Sequence, residues 1–372
     1  MNRSLSMRMA VALIALPLVA APLAAHADIL IGIAGPMSGK DAAFGEEMRQ
    51  GVDKAIADIN AKGGLLGQQL RSILADDRCD PDIAAKAADA LVAQRVAVVI
   101  GHFCSSASIA ASITYAGSNL VEISPSSTNP EYTERGLINV FRVTGRDDAQ
   151  GRVAADYLAL NFRGKTFAVL DDKQTYGRGL AMSFANAMAA KGLKPVLTDE
   201  VDPGQQDFGD LIGRLAAAKV DIIYYGGYYA EAGLLVRQAH DKGLSILLVG
   251  GDGLNDPKFW STAGDAGEGT LMTFGADPKQ DPENAALVKY FTSHNYQPEG
   301  YTLYSYAALQ VWADTVARKN SLDGAAVEGG LRTYQFQTTL GTLGFNAKGD
   351  RTGQSFVMYV WHQGQPIYVQ RK

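Results

Sequence analysis

Two turns rich in hydroxyl groups are the parts of this sequence best suited to bind a ligand. Ser105 and Ser106 follow the apolar run 96–100, and the Ser-Ser-Thr segment 126–128 follows the run 120–123. Each reads as a strand and a turn, and the first is followed by a helix. Hydroxyl groups and the free N–H groups of a helix start can hold a carboxylate. The alternative for Ser105 is a plain helix cap.

Three other side chains at turns complement these hydroxyl groups. Asp252, in the segment 250–253 (Gly-Gly-Asp-Gly), suits a cation, and Tyr176 and Tyr228 offer apolar rings with polar tips. Taken alone, Asp252 reads as a turn residue and the tyrosines read as core. One site for an anion together with one for a cation describes an amino acid, so the set favours binding.

Signatures of enzymes are absent from the sequence. Gly164-Lys165-Thr166 precedes its strand and lacks the first glycine of a phosphate loop, and no Gly-x-Ser-x-Gly motif surrounds Ser105. Apart from His102, which is close to Cys104, the histidines after residue 27 are isolated, and neither CxxC nor HExxH occurs. We therefore predict a protein that is not an enzyme and that has no cofactor and no metal site.

The elements that must position these residues alternate between strand and helix. Strands are predicted at 29–34, 70–74, 96–100, 120–123, 166–170, 195–197, 221–225, 246–249 and 271–274, and a terminal hairpin at 356–360 and 366–370. Helices are predicted at 46–61, 82–94, 150–160, 208–218, 231–240, 282–294 and 301–318, together with one that includes 109–116 and one that follows Gly177 and runs through 190. The segment 341–353 is predicted to be loop-rich. Such alternation predicts parallel sheets covered by helices, with ligands at the carboxyl ends of the strands. Both hydroxyl turns follow strands, so we expect them at the same sheet edge, as a binding site.

The beginning of the chain and its charge indicate the compartment. Arg3 and Arg8 precede an apolar run, and Ala25-His26-Ala27 is a small-x-small cleavage site, so residues 1–27 are predicted to be a secretory signal cleaved after Ala27. The net charge of −5 becomes more negative once those two arginines are removed, which disfavours nucleic acid as a partner. The chain that remains is long enough for two domains. We expect it free in the periplasm, where its two cysteines would form one disulfide.

These motifs resemble those of the leucine/isoleucine/valine-binding proteins, which are periplasmic substrate-binding components of ABC importers. The similarity runs from residue 29 to 362 and is carried by Gly101-His102-Phe103-Cys104-Ser105-Ser106, Asp172-Lys173-Gln174-Thr175-Tyr176-Gly177, Tyr224-Tyr225-Gly226-Gly227-Tyr228 and Tyr306-Ala307-Ala308-Leu309-Gln310. It implies the α/β type I periplasmic binding protein fold, with two doubly wound parallel-sheet lobes joined by a hinge of three crossings near Gly145, Gly275 and Gly353. The lobes would be 28–146 plus 276–354 and 147–275 plus 355–372.

The resemblance also implies a role for individual residues. Ser105 and Thr128 match the residues that bind the ligand carboxylate, and Ser126 matches the one whose carbonyl accepts from the ligand ammonium. Asp252 matches the acidic partner of that ammonium, while Tyr176 and Tyr228 match tyrosines that close over the ligand. The disulfide of the family falls on Cys79 and Cys104.

Positions that depart from the leucine-type members bear on ligand size. Asp252 stands in place of glutamate, Phe103 in place of leucine, and Phe44 and Tyr301 in place of tyrosine and phenylalanine. An aromatic ring at 103 would fill the space of a branched side chain, so the expected ligand is small or unbranched, such as alanine, proline, valine or γ-aminobutyrate. The resemblance implies permease subunits as partners, and we expect a monomer. Two alternatives stay open: a binder of aromatic acids or small amides, and the ligand-reading part of a sensor.

Overall fold

The structure is a computed structural model that describes residues 27–353 and 356–369. The predicted signal sequence lies outside the described residues except for Ala27, as does the last residue of the predicted hairpin. The strands are β1 (Ile29–Gly35), β2 (Leu70–Asp76), β3 (Val98–Gly101), β4 (Glu122–Ser124), β5 (Val140–Arg142), β6 (Phe167–Asp171), β7 (Leu197–Glu200), β8 (Ile222–Gly226), β9 (Leu247–Gly250), β10 (Leu271–Gly275), β11 (Phe336–Thr338), β12 (Gly341–Leu343), β13 (Phe356–His362) and β14 (Gln365–Tyr368).

The helices alternate with these strands, as predicted. They are α1 (Ala42–Ala61), α2 (Pro81–Ala93), α3 (Ser105–Gly117), α4 (Glu131–Glu134), α5 (Asp147–Asn161), α6 (Thr175–Ala189), α7 (Gly209–Ala217), α8 (Tyr229–Asp241), α9 (Pro257–Ala263), α10 (Ala285–Ser293), α11 (Thr302–Lys319) and α12 (Gly324–Thr333). In the part of the chain that the structure describes, no helix has the length and apolar character needed to cross a membrane.

The first five strands form one parallel sheet in the order β2-β1-β3-β4-β5. Every residue of β3 is buried, because helices cover both faces of the sheet. Two strands of β-branched and aliphatic residues flank each other at its centre, with Ile33 opposite Ile100. Because β3 and β4 are parallel neighbours, the turns that follow them lie side by side at the carboxyl edge of the sheet, as predicted.

A second sheet has the order β14-β13-β10-β9-β8-β6-β7. Its strands β6 to β10 are parallel, whereas β13 runs antiparallel to β10 and β14 antiparallel to β13. The predicted terminal hairpin is therefore present as the edge of this sheet. A separate two-stranded ribbon is formed by β11 and β12.

The chain passes between the two sheets three times. It leaves the first sheet after β5, returns after β10 so that α11 packs against α1, β3 and β4, and joins the second sheet again at β13. The type I fold predicted from the sequence has this connectivity.

Several predicted boundaries differ from the structure. The helices α4, α9 and α12 were missed, and so were the short strands β5, β11 and β12, of which β12 lies in the stretch predicted as loop. The strand expected at 195–197 begins at Leu197, since Pro195 has no N–H to donate to a neighbouring strand. The helix expected at 282–294 starts with a 3-10 turn and becomes α10 only at Ala285. Both α9 and the glycine-rich α12 start at an aspartate cap, Asp256 and Asp323, so capping and packing outweigh their weak helical pattern.

The start of α5 is the difference that matters most for the site. The helix begins at Asp147, three residues before the predicted Gln150. Acidic residues in the first turn favour this start, because they face the positive end of the helix dipole. As a result Asp147 lies at the same end of the molecule as the hydroxyl turns.

Candidate ligand-binding site

Ser105 is the first residue of α3, and its side chain does not cap that helix. Cys104 occupies the N-cap position in an extended conformation, and no side chain there accepts a hydrogen bond from the helix. The buried Ser105 hydroxyl instead accepts a hydrogen bond of 3.3 Å from the backbone N–H of Asn129. The alternative of a plain helix cap is therefore wrong, and Ser105 connects the two hydroxyl turns.

Serine hydroxyl groups fix the backbone of these two turns against each other. The carbonyl of Phe103 accepts from the hydroxyls of Ser126 at 2.9 Å and Ser127 at 3.0 Å. The carbonyl of His102 accepts from Ser124 at 2.7 Å. Each hydrogen bond is buried, so it orients the turns without competition from water.

Arg142 stabilises the second hydroxyl turn, the one that follows β4. Its guanidinium group is fully buried and donates to the carbonyls of Ser127 at 2.7 Å and Asn129 at 3.0 Å. Its Nε lies 2.9 Å from Asp350. Its Nη2 also donates to the Thr133 hydroxyl at 2.7 Å. A planar group with several donors suits this arrangement, in which four acceptor groups surround one side chain.

The first turn is braced by a disulfide and by a buried histidine. The predicted disulfide between Cys79 and Cys104 is confirmed. The His102 ring lies 2.6 Å through Nδ1 from Asp77 and 2.9 Å through Nε2 from the hydroxyl of Tyr115. Asp77 also accepts from the N–H of Cys79 at 2.8 Å, so it ties the two cysteine-bearing loops together. Among the described residues no group of three or more His, Cys, Asp or Glu side chains could hold a metal.

The side chain of Asp252 is buried, unlike that of an ordinary residue in a surface turn. Its Oδ1 accepts from Gln150 Nε2 at 2.6 Å and from the Tyr176 hydroxyl at 2.8 Å, and its Oδ2 accepts from the Tyr301 hydroxyl. Burial raises the pKa of Asp252, although these three hydrogen bonds lower it. All three donors are neutral, so they orient the carboxylate without supplying a positive charge.

Asp147 is a second acid beside Asp252 that the sequence did not single out. It is fully buried, and its pKa lies well above the ordinary value because of burial and then because of the charge on Asp252. Gln150 joins the two acids, since its Nε2 also lies 3.2 Å from Asp147 Oδ1. The Thr128 carbonyl accepts from the Asp147 N–H at 3.0 Å, so the hydroxyl turn and the acids are adjacent.

These residues were missed because helix periodicity does not identify a polar first turn. Another feature of the sequence could have identified them. Asp147 comes soon after the chain leaves the first sheet, and Gln150 follows it one helical turn later. Gln150 Oε1 is buried and has no hydrogen-bond partner among residues 27–353 and 356–369. An unpartnered acceptor of this kind beside two acids is suited to an ammonium group.

Aromatic rings form the remaining wall of the site. Phe44 and Phe103 stack with centroids 4.1 Å apart, and Tyr301 meets the Phe103 ring edge-on at 5.0 Å. Tyr176 and Tyr228 lie 5.0 Å apart, and Phe44 lies 6.1 Å from Tyr228. All five rings are buried.

The nine predicted site residues therefore lie in one buried network. The members that it brings together are Phe44, Phe103, Ser105, Ser126, Thr128, Tyr176, Tyr228, Asp252 and Tyr301.

The two halves of the molecule contact each other at this network. Asn129 Nδ2 donates to the Thr175 carbonyl at 2.8 Å, and Tyr301, at the start of α11, reaches Asp252 beyond β9. The structure thus shows the two sheets drawn together around the acids and hydroxyl groups.

Comparisons with known proteins agree with this architecture. A sequence profile described as "Periplasmic binding protein" matches residues 28–366. The Leu/Ile/Val-binding protein homolog 1 of Brucella suis biovar 1 is 42% identical over 341 residues, which cover 91% of this chain and 92% of that protein.

Two solved structures are similar in fold as well. The leucine-binding protein LivK of Thermotoga maritima has a TM-score of 0.85 at 28% identity, covering 92% of this chain and 98% of the other. LivJ of Streptococcus pneumoniae, a substrate-binding protein of a branched-chain amino acid transporter in complex with isoleucine, has a TM-score of 0.83 at 25% identity, covering 93% and 100%. The chain therefore belongs to the periplasmic binding protein family, with the type I fold, and within it to the substrate-binding proteins of branched-chain amino acid ABC transporters, which are not enzymes.

Proposed function

We propose that this protein binds a free, zwitterionic amino acid between its two lobes and delivers it to an ABC importer. The observation that carries the proposal is the contact between the Ser105–Thr128 turns and the buried acids Asp147 and Asp252. One part of the network suits an anion and the other suits a cation. The isoleucine complex of the S. pneumoniae relative supports an amino acid as the class of ligand.

The carboxylate of the ligand would bind to the hydroxyl turns. The hydroxyls of Ser105 and Thr128 and the first N–H groups of α3 would donate to it. The helix dipole adds a favourable positive potential at that position. This assignment uses the residues that the family resemblance implies.

The ammonium group would bind to the acids. Asp252 and Asp147 supply negative charge, and Ser126 supplies a backbone carbonyl. Burial raises the pKa values of both carboxylates, and the charge of Asp252 raises that of Asp147 further, so without a cation the two buried acids would repel each other. A ligand with a carboxylate but no ammonium, such as an aromatic acid, would leave this repulsion in place.

The ligand side chain would be small or unbranched. The stacked rings of Phe44 and Phe103 fill space next to Ser105, where the leucine-type members have a smaller leucine at position 103. Alanine, proline, valine and γ-aminobutyrate fit such a site better than leucine does. Position 103 would therefore decide the choice of substrate.

Binding would proceed by closure of the two lobes around the ligand. The lobes would be residues 28–146 plus 276–354 and residues 147–275 plus 355–372, with the hinge near Gly145, Gly275 and Gly353. The closed form would dock to permease subunits in the inner membrane. The protein would act as a monomer in the periplasm, after cleavage following Ala27.

A ligand panel measured by titration calorimetry tests the proposal. It contains alanine, proline, valine, γ-aminobutyrate, leucine and isoleucine, with benzoate and acetamide as ligands that lack an ammonium group. We expect the first four to bind tightest. Tight binding of benzoate or acetamide, with no amino acid bound, would instead support the alternative of an aromatic-acid or amide binder.

The Phe103→Leu variant tests the assignment of ligand size. Removing the ring should raise the affinity for leucine relative to alanine, because the freed space accommodates a branched side chain. Phe162→Leu is the matched control, since Phe162 is half-buried at the end of α5, near the start of β6 and away from the hydroxyl turns. A leucine-to-alanine ratio that is the same in Phe103→Leu and wild type would contradict the assignment.

A further inference from the structure

A second group of buried charges lies between the two halves, away from the Ser105 turn. Lys40 precedes α1 in the first half, and its Nζ lies 3.0 Å from its neighbour Asp41. The same Nζ lies 3.3 Å from Oε1 of Glu231 on α8, in the second half. A backbone contact accompanies this ion pair, because the Tyr229 hydroxyl donates to the Lys40 carbonyl at 2.7 Å.

The acids of this group outnumber the cation. Asp41, Glu231 and Asp172 are exposed by only 2%, 2% and 0%, respectively, whereas 32% of the Lys40 side chain is exposed. Oε2 of Glu231 is buried without a hydrogen-bond partner in the described part of the chain. Three buried acids therefore face one lysine, and two of these acids belong to the half opposite to Lys40.

Burial and the charges of this cluster shift the pKa values of its members. Burial raises the pKa of Asp172 to about 7, and the positive charge of Lys40 opposes this rise. Burial likewise raises the pKa of Asp41, against the effect of Lys40. For Lys40 itself, the charges of Asp41 and Glu231 outweigh burial and raise the pKa.

Among residues 27–353 and 356–369, the other ionisable groups that act on the cluster do not supply a second cation. Asp77 acts on Asp41 through space, and the hydroxyls of Tyr225, Tyr228 and Tyr229 face the acids. The Lys40 Nζ lies 5.5 Å above the ring of Tyr228. All of these groups are neutral or acidic, so Lys40 is the cation on which the cluster depends.

We propose that Lys40 is a further determinant of ligand affinity, acting as the counter-ion that allows Asp41, Asp172 and Glu231 to be brought together when the lobes close. Lys40 is a positioning residue, because it acts on closure and touches no proposed ligand group. In an open form water would lie between Asp41, in the first half, and Asp172 and Glu231, in the second. Closure removes that water, and within the described part of the chain Lys40 is the cation that compensates the repulsion that follows. The inference rests on the proposed function, since closure is what retains the ligand.

The Lys40→Met variant tests the inference by calorimetry, with L-alanine, L-valine and γ-aminobutyrate as probes. The affinity should fall about tenfold or more, mainly through faster dissociation, because removing one partner of a desolvated pair acts on dissociation. Lys165→Met is the matched control: Lys165 pairs with Asp221 at 3.0 Å, and its side chain is 55% exposed within the second half. That control should bind like wild type.

Two readouts separate the role of Lys40 from structural damage. In Lys40→Met/Glu231→Gln, one uncompensated acid is removed, so the affinity should recover relative to Lys40→Met. Burial holds the pKa of Asp172 at about 7 in this structure. If closure completes that burial, it takes up a proton, so the affinity of wild type should fall as the pH rises towards about 7 and level off above it. In Lys40→Met this fall should extend to higher pH, since the opposing charge is gone.

The outcomes distinguish this inference from the proposed function. If wild type binds none of the three probes, the proposed function fails and the inference fails with it. If wild type binds and Lys40→Met binds equally well with an unchanged pH dependence, only the inference is overturned. A further loss of ligand affinity when Glu231→Gln is added to Lys40→Met would also overturn the inference.

Discussion

Asp252→Asn is the most direct test of the ammonium site. The substitution keeps the shape of a side chain that is only 3% exposed and removes its charge. The remaining amide oxygen can still accept from Gln150 and Tyr176, and the new NH2 group can donate to the Tyr301 hydroxyl. The local packing should therefore survive, while the ligand ammonium loses its charged partner.

The size of the effect follows from the burial of the pair. Truncating one partner of a buried, hydrogen-bonded charge pair costs about 2–5 kcal/mol. At about 1.4 kcal/mol for each factor of ten, the dissociation constant should rise between about 30-fold and several thousand-fold. Asp147 would supply part of the lost charge, which favours the lower half of that range.

The stability of the unliganded protein should not fall in Asp252→Asn, in contrast to the affinity for the ligand. Burial raises the pKa of Asp252, so the ionised carboxylate is unfavourable in the folded protein at neutral pH and less so as the pH falls. A neutral amide removes this cost, so the unliganded melting temperature should stay the same or rise.

Calorimetry and thermal denaturation check both expectations together. Asp199→Asn, which removes a charge that is 24% exposed and paired with Arg214, is the control and should bind like wild type. Asp252→Glu keeps the charge on a side chain longer by one methylene and should bind better than Asp252→Asn. An unchanged affinity in Asp252→Asn would refute the role of Asp252, and a large loss of unliganded stability would show that the carboxylate is structural.

The bracing of the two turns can be perturbed separately. The Cys79–Cys104 disulfide links two residues that are 25 positions apart in the sequence. Its reduction should lower the free energy of unfolding by about 3 kcal/mol. Equal melting temperatures with and without reductant would contradict this. Arg142→Met should lower the free energy of unfolding by about 3 kcal/mol, because it leaves the carbonyls of Ser127 and Asn129 without their guanidinium donor and removes one of the two arginines that pair with Asp350. Denaturant titration measures the loss, with the exposed Arg163→Met as control, and a value equal to that of the control would contradict the assigned role.

The order of elements could be predicted because buried strands have a strong pattern. The runs around Ile33, Val99 and Leu170 are continuous, β-rich and apolar, as expected for strands covered on both faces. Such strands depend little on their exact neighbours. By contrast, α12 has three glycines, and it forms because Asp323 caps it and because Leu331 is buried.

The candidate site was predictable where its chemistry lies in a turn after a strand. Ser105 and Asp252 both belong to such turns, so their types and positions suffice. Asp147 and Lys40 could not be found in this way, because their roles come from residues far along the chain. Asp147 becomes significant beside Asp252, and Lys40 becomes significant opposite Glu231, only after the chain has crossed between the sheets.

The two buried groups of acids explain why closure would depend on the ligand. At the cluster of Lys40 the protein supplies the cation itself. At Asp147 and Asp252 it does not, since no salt bridge within the described residues includes either acid, and the nearby Arg142 is held by Asp350. Closing the lobes without a ligand would bury both carboxylates with only neutral donors around them. An ammonium group would remove that cost, so the energy of closure would be supplied by the ligand itself.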